Sequence, residues 1–259
     1  MKTQWKRFLL TLGFMTRIPV TVDLGEVKDE DMHKGFLYYP VVGLIIGLVD
    51  VTVYLLAVQI FPEMIGILFA LLANFFVTGA FHLDGLCDTA DGIYSARTKE
   101  RMLEIMKDSR IGTNGGIAMC FDILMKFAGL MSCENTWVMI LMMPVAGKMI
   151  QGAVVYKAVY PREKGIGIYV GTVSLGTVIG TMILGVCAMT VAFSFWGIVM
   201  FAVLFFLAWM FRRYITGKIG GITGDVMGAA SELSEIMLLL LVLMITKFAG
   251  FPMGWYPVI

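Results

Sequence analysis

Seven long apolar stretches, at about 37–60, 62–80, 115–133, 137–156, 171–192, 195–211 and 235–250, leave this chain few ways to fold. About 20 apolar residues are needed to cross the hydrocarbon core of a bilayer as a helix, and each stretch is near or somewhat below that length. Within lipid the backbone must satisfy its own hydrogen bonds, so continuous apolar runs of this length fold as α-helices. A membrane β-barrel would instead need alternating apolar and polar residues, which are not seen. Charged residues make up 15% of the 259 positions, against about 25% in an ordinary soluble domain. The expected fold is all-α: a single polytopic membrane domain, residues 1–259, with about seven transmembrane helices. The last two stretches are short, so six spans plus a re-entrant or interfacial segment is the competing count.

Charge placement orders these spans. Lys2, Lys6, Arg7, Arg17, Lys28 and Lys34 precede the first; Arg97, Lys99, Arg101, Lys107 and Arg110 lie between the second and third. Lys157, Arg162 and Lys164 follow the fourth, and Arg212, Arg213 and Lys218 follow the sixth, while the alternate connections near Pro62, Cys133 and Ser194 carry none. The positive-inside rule then puts the N-terminus and every long polar loop in the cytoplasm. The N-terminal segment 1–35 opens with basic residues interleaved with Trp5, Phe8, Leu9 and Leu10, the pattern of an interfacial amphipathic helix rather than a cleaved signal. Formal net charge is +1, which gives no reason to expect nucleic-acid binding. Cys87, Cys120, Cys133 and Cys187 have no metal-ligand spacing and are expected as free, buried thiols.

Chemistry concentrates in the polar segments 82–114 and 212–235. In His82-Leu83-Asp84-Gly85-Leu86-Cys87-Asp88-Thr89-Ala90-Asp91-Gly92, three aspartates at i, i+4 and i+7 fall on one helical face. Carboxylates this close repel one another unless a cation sits among them, and divalent metal answers that need. A solvated acidic helix end is the bland alternative, but no Lys or Arg interleaves the acids from 81 to 96. This segment is expected to continue the second span beyond the bilayer. Thr98 is a candidate cap for a following helix ending near Gly112, with Asp108 a further candidate ligand. Arg97, Lys107 and Arg110 suit phosphate oxygens. His82 is open between acid/base work, substrate contact and an interfacial side chain. The glycine-rich run Gly217 to Asp225 offers free backbone N–H groups ahead of a helix, followed by a second acidic group, Asp225, Glu232 and Glu235. Asp122 and Lys126, one turn apart, are expected to pair with each other.

These motifs, in order, resemble the cobalamin synthase family, the adenosylcobinamide-GDP ribazoletransferases. The resemblance rests on Phe14 to Val20, Tyr39 to Gly47, His82 to Gly92, Glu104 to Thr113 and Gly220 to Asp225. It implies an Mg²⁺-dependent phosphotransferase that joins adenosylcobinamide-GDP to α-ribazole, or to its 5′-phosphate, and releases GMP. The expected metal ligands are Asp84, Asp88 and Asp91, with Asp108 or Asp225 completing the sphere. Arg97, Lys107, Arg110, Asn114, Thr223, Asp225, Glu232 and Glu235 are the expected substrate contacts, and His82 and Asp108 accompany the three aspartates as catalytic candidates. Small-molecule substrates and the lipid bilayer are the expected partners, with an oligomer possible. A partial similarity to the CDP-alcohol phosphotransferases is weaker, because Asp88 to Arg97 carries one residue more than that signature. A divalent-cation transporter would need acids deep inside several spans, where the sequence offers Asp50 and Asp122.

Overall fold

The computed structural model describes residues 3–162 and 172–249; Lys2 and Lys164 of the charge count lie outside the described residues. All regular structure among the described residues is helical: α1 (Thr3–Met15), α2 (Asp29–Gly35), α3 (Tyr39–Ala57), α4 (Glu63–Thr78), α5 (Phe81–Ser95), α6 (Lys99–Ile105), α7 (Thr113–Met131), α8 (Thr136–Val154), α9 (Leu175–Phe193), α10 (Phe195–Ile219) and α11 (Gly224–Ala249). Among the described residues, six helices are long and apolar enough to cross a membrane: α3 with its run-in from Asp29, then α7, α8, α9, α10 and α11. A seventh span is reached only by counting α4 with α5, which are bent by 87°.

That bend corrects one expectation. The aspartate segment does not continue the second span; Gly79 (φ 67°) and Ala80 (φ 56°) both enter the left-handed region and turn the chain aside. Glycine tolerates this conformation, whereas alanine adopts it at a cost. The Arg17 side chain lies against the Gly79 Cα, and the Arg17 N–H donates to the Val77 carbonyl at 2.6 Å, so the N-terminal segment braces the turn. Helix α5 therefore leaves the direction of α4 and is not among the six long apolar helices.

Three further expectations are revised. The last two spans are not short, since α10 has 25 residues and α11 has 26. Their polar residues stay helical because the charges are paired inside or reach out of the apolar layer. Helix α6 ends at Ile105 rather than near Gly112; its Thr98 cap does form, accepting from the Arg101 N–H at 3.4 Å. All four cysteines are free, but Cys120 and Cys187 face outward instead of packing inside.

Helix α8 is the hub of the bundle, buried along nearly its whole length. Helix α3 presses onto it through Gly43 and Gly47, whose Cα atoms face the Pro144 and Leu141 carbonyls; a Cβ at Gly43 would lie 2.6 Å from the Pro144 oxygen. Small residues four apart permit such close backbone approach between membrane helices. Helix α11 lies along another side of α8, with Gly147 facing Ser231 and Glu235.

Between α7, α8 and α11 sits a buried charge cluster. Lys126 Nζ lies 3.2 Å from Asp122 Oδ2 and 2.9 Å from Glu235 Oε2, and it donates to Glu232. Lys148 Nζ donates to Ser231 Oγ at 3.0 Å, and Asp50 accepts from Asn74 at 2.7 Å. The anticipated Asp122–Lys126 pair is thus part of a larger set. Among the described residues, the buried acids of α3, α7 and α11 are Asp50, Asp122, Glu232 and Glu235, where the sequence offered Asp50 and Asp122. A cavity of about 20 Å³ among them is lined by Asp50, Asn74, Lys126 and Glu235, room for about one water molecule. On α1, Arg7 is buried: its Nε donates to Asp31 at 3.1 Å, beside a Lys6–Asp31 contact of 2.8 Å.

Candidate active site at the helix α5 crossing

Helix α5 is placed by glycine contacts with α11 and α7. Gly85 packs on the backbone of Asp225, where a Cβ would meet the Asp225 carbonyl oxygen at 2.7 Å. From the other side, a Cβ at Gly228 would lie 2.9 Å from the His82 carbonyl oxygen and 3.4 Å from the Gly85 Cα. Two glycines facing one another let α5 cross directly over the first turn of α11. The same crossing carries Asp84 and Asp88, one turn apart, alongside Asp225.

Asp91 faces the other neighbour. Its Oδ2 accepts from the Gly112 N–H at 2.7 Å and its Oδ1 from the Gly115 N–H at 2.9 Å. A carboxylate there satisfies two of the N–H groups that a helix start leaves unpaired and complements the positive end of α7. The three aspartates therefore divide: Asp84 and Asp88 remain open to solvent, while buried Asp91 pins α7 to α5. Among the described residues no three His, Cys, Asp or Glu side chains converge as a ready metal cage. Of the expected three-aspartate set, Asp91 is the one whose two carboxylate oxygens both already accept from the start of α7.

Electrostatically the open pair is crowded. Burial, then the negative charges of Asp84 and Asp225, push the Asp88 carboxyl up to about 7, opposed by Arg162. Arg162 Nη2 contacts Asp225 Oδ2 at 2.7 Å and reaches toward the Met106 carbonyl at 3.3 Å, while its buried Nε has no hydrogen-bond partner among the described residues. Sequence reasoning used Arg162 only as one charge in a loop; its partner lies 63 residues away, and no local signal joins them. The strap that carries it is docked by the Ile222 N–H donating to the Val159 carbonyl at 2.9 Å. Thr223 is buried and caps α11, accepting from the Val226 N–H at 3.3 Å, while its hydroxyl lies 3.3 Å from Asp225 Oδ2.

The remaining expected residues are spread more widely. Asp108 is clasped by Arg110, Nη2 to Oδ2 at 2.6 Å, and that guanidinium holds the Asp108 carboxyl down at about 2. The pair lines an open groove of about 320 Å³ with Asp91, Ser95, Ile105, Ile111 and Gly112. Asn114 donates to Ser95 Oγ at 2.9 Å at the same edge. Arg97 and Lys107 are both exposed and lie near this rim in sequence. His82 is buried beneath α11, its Nε2 without a hydrogen-bond partner among the described residues and its ring edge-on to Phe81. Glu232 and Glu235, grouped with Asp225 in the sequence reading, instead face Lys126 deep in the bundle. Two and three turns of helix carry them away from the site's surface.

Mg²⁺ characteristically takes one or two protein carboxylates and fills its other positions with water and substrate phosphate. Asp84 and Asp88 meet that requirement as all-oxygen donors one turn apart, and the excess negative charge around Asp88 favours a cation.

Comparison with known proteins places this arrangement. A curated adenosylcobinamide-GDP ribazoletransferase of Clostridium novyi (strain NT) is 40% identical over 244 residues, covering 92% of this chain and 96% of the relative. That of Clostridioides difficile (strain 630) is 38% identical over 249 residues, covering 91% and 96%, and that of Klebsiella pneumoniae (strain 342) is 37% identical over 244 residues, covering 92% and 99%. No solved structure matches. Residues 7–243 match the family described as cobalamin-5-phosphate synthase, and the chain belongs to that family.

Proposed function

We propose that this protein is an adenosylcobinamide-GDP ribazoletransferase. The carrying observation is the crossing of α5 over α11, which sets Asp84 and Asp88 beside the Asp225–Arg162 pair in a member of this family. An oxygen of α-ribazole, or of its 5′-phosphate, attacks the cobinamide-bearing phosphorus of the pyrophosphate. The new P–O bond forms as the P–O bond to the guanosine phosphate breaks, and GMP departs. An attacking hydroxyl gives its proton to one carboxylate of the α5 pair. Asp84 and Asp88 would hold Mg²⁺, which neutralises charge on the pyrophosphate oxygens. Arg162 supplies fixed positive charge at the same mouth, and Arg110 and Lys107 serve phosphates from the outer rim. Most of the acceleration comes from positioning and charge stabilisation. The basic loops support an orientation with this face in the cytoplasm of an inner-membrane protein.

The test is GMP release by detergent-purified protein given adenosylcobinamide-GDP, α-ribazole and Mg²⁺. EDTA should abolish release, and Asp84→Ala or Asp88→Ala should abolish turnover while membrane insertion persists. Full activity in either variant defeats the metal assignment; CMP release from a CDP-alcohol, with no cobalamin product, defeats the reaction itself.

A further inference from the structure

Helix α10 carries a feature that the transfer reaction leaves unused. Its outward face ends in Trp209, Met210, Arg213, Tyr214, Gly217 and Lys218, which line an open groove of about 630 Å³. The Arg213 guanidinium lies 6.0 Å from the Trp209 ring centre and the Lys218 ammonium 5.7 Å from that of Tyr214. Gly217 leaves a notch, since nothing lies within 4 Å of where its Cβ would be. No acidic residue occurs between Glu163 and Asp225 in the sequence, and among the described residues no carboxylate pairs with Arg213 or Lys218.

The groove continues along the helix into an exposed apolar strip of Phe205, Phe206 and Trp209, at 45%, 54% and 52% exposure. Ile215, Ile219, Leu204 and Ala208 occupy the opposite, buried face. The surface thus presents unpaired cations and aromatic edges at one end of an apolar strip, on a helix that spans the membrane. A free phosphate or nucleotide would use the cations and leave the strip uncovered. An amphiphile with a phosphate head and acyl tails covers both.

We propose that this face of α10 is a binding site for an anionic phospholipid, its phosphate held between Arg213 and Lys218 over the Gly217 notch and its acyl chain along Phe206 and Trp209. Basic side chains at a membrane boundary attract anionic headgroups, and aromatic residues anchor at headgroup level.

Native mass spectrometry of the detergent-purified protein, titrated with phosphatidylglycerol or with phosphatidylcholine of the same chains, tests the site. The expected result is retention of phosphatidylglycerol preferred by roughly tenfold or more, with the preference lost in Arg213→Gln/Lys218→Gln. Equal retention of the two lipids by the wild-type protein overturns the proposal without recourse to any variant. Displacement of the lipid by millimolar inorganic phosphate also overturns it, because the site then reads the phosphate alone.

Discussion

The backbone of Asp225 rests on Gly85, with room between them for a hydrogen and not for a methyl group. This contact holds the aspartate helix over the start of α11, and a side chain at position 85 would meet carbonyl and Cα atoms that cannot swing aside. Gly85→Ala should therefore separate Asp84 and Asp88 from Asp225 and Arg162. A displacement near 1 Å costs on the order of 100-fold in rate, so transfer should fall by about that factor in the GMP-release assay. Gly116→Ala is the control, because nothing lies within 4 Å of its Cβ position; it should leave the rate unchanged and raise the unfolding temperature slightly.

Arg162 makes a separate claim on the site. It is the cation bound to Asp225, and its fork reaches the Met106 carbonyl as well. Arg162→Gln should raise the KM for adenosylcobinamide-GDP and lower kcat together, by about tenfold or more in kcat/KM, in line with losing one charge-assisted contact. Arg162→Lys restores charge but lacks the planar fork, so it should fall between the two. Wild-type kinetics in Arg162→Gln would remove this residue from the substrate's surroundings.

What the sequence made legible follows from how far each interaction reaches. The seven apolar stretches could be read because a bilayer demands contiguous apolar residues, and the Asp122–Lys126 pair because one helical turn joins them. The turn at Gly79 and Ala80 was hidden, since alanine gives no signal of a left-handed backbone and its brace, Arg17, is distant. Helices α10 and α11 were read as too short because Arg212, Arg213, Glu232 and Glu235 looked like loop residues. In the fold Glu232 and Glu235 are neutralised by Lys126, which the chain places more than 100 residues earlier. The hold of Asp91 on the start of α7 was equally hidden, because period alone cannot distinguish a carboxylate facing solvent from one facing the start of another helix.

The Lys126 cluster should be a stability element rather than part of the chemistry. Removing one partner of a buried ion pair costs about 3–5 kcal/mol, because the other charge is left uncompensated. Lys126→Met strands Asp122, Glu232 and Glu235 together and should markedly lower the apparent unfolding temperature in detergent. Adding Glu235→Gln to that variant should recover part of the loss, since one stranded charge is removed. A double variant no more stable than Lys126→Met alone would show that the lysine acts through packing.

The N-terminal clasp gives a pH signature. Asp31 accepts from the Lys6 ammonium, the Lys28 backbone N–H and the Arg7 guanidinium, which together hold its carboxyl below the ordinary value against the opposing effect of burial. A carboxyl depressed in the folded state binds fewer protons there than in the unfolded chain, so its contribution to stability rises with pH. That contribution is complete above the unfolded value of about 3.9 and is lost as pH falls through the lower folded value. Wild-type protein should therefore lose more of its apparent unfolding temperature between pH 6 and pH 3 than Asp31→Asn does, and at neutral pH the variant should be the less stable of the two. Parallel acid profiles for the two proteins would mean that the clasp carries no net electrostatic stabilisation.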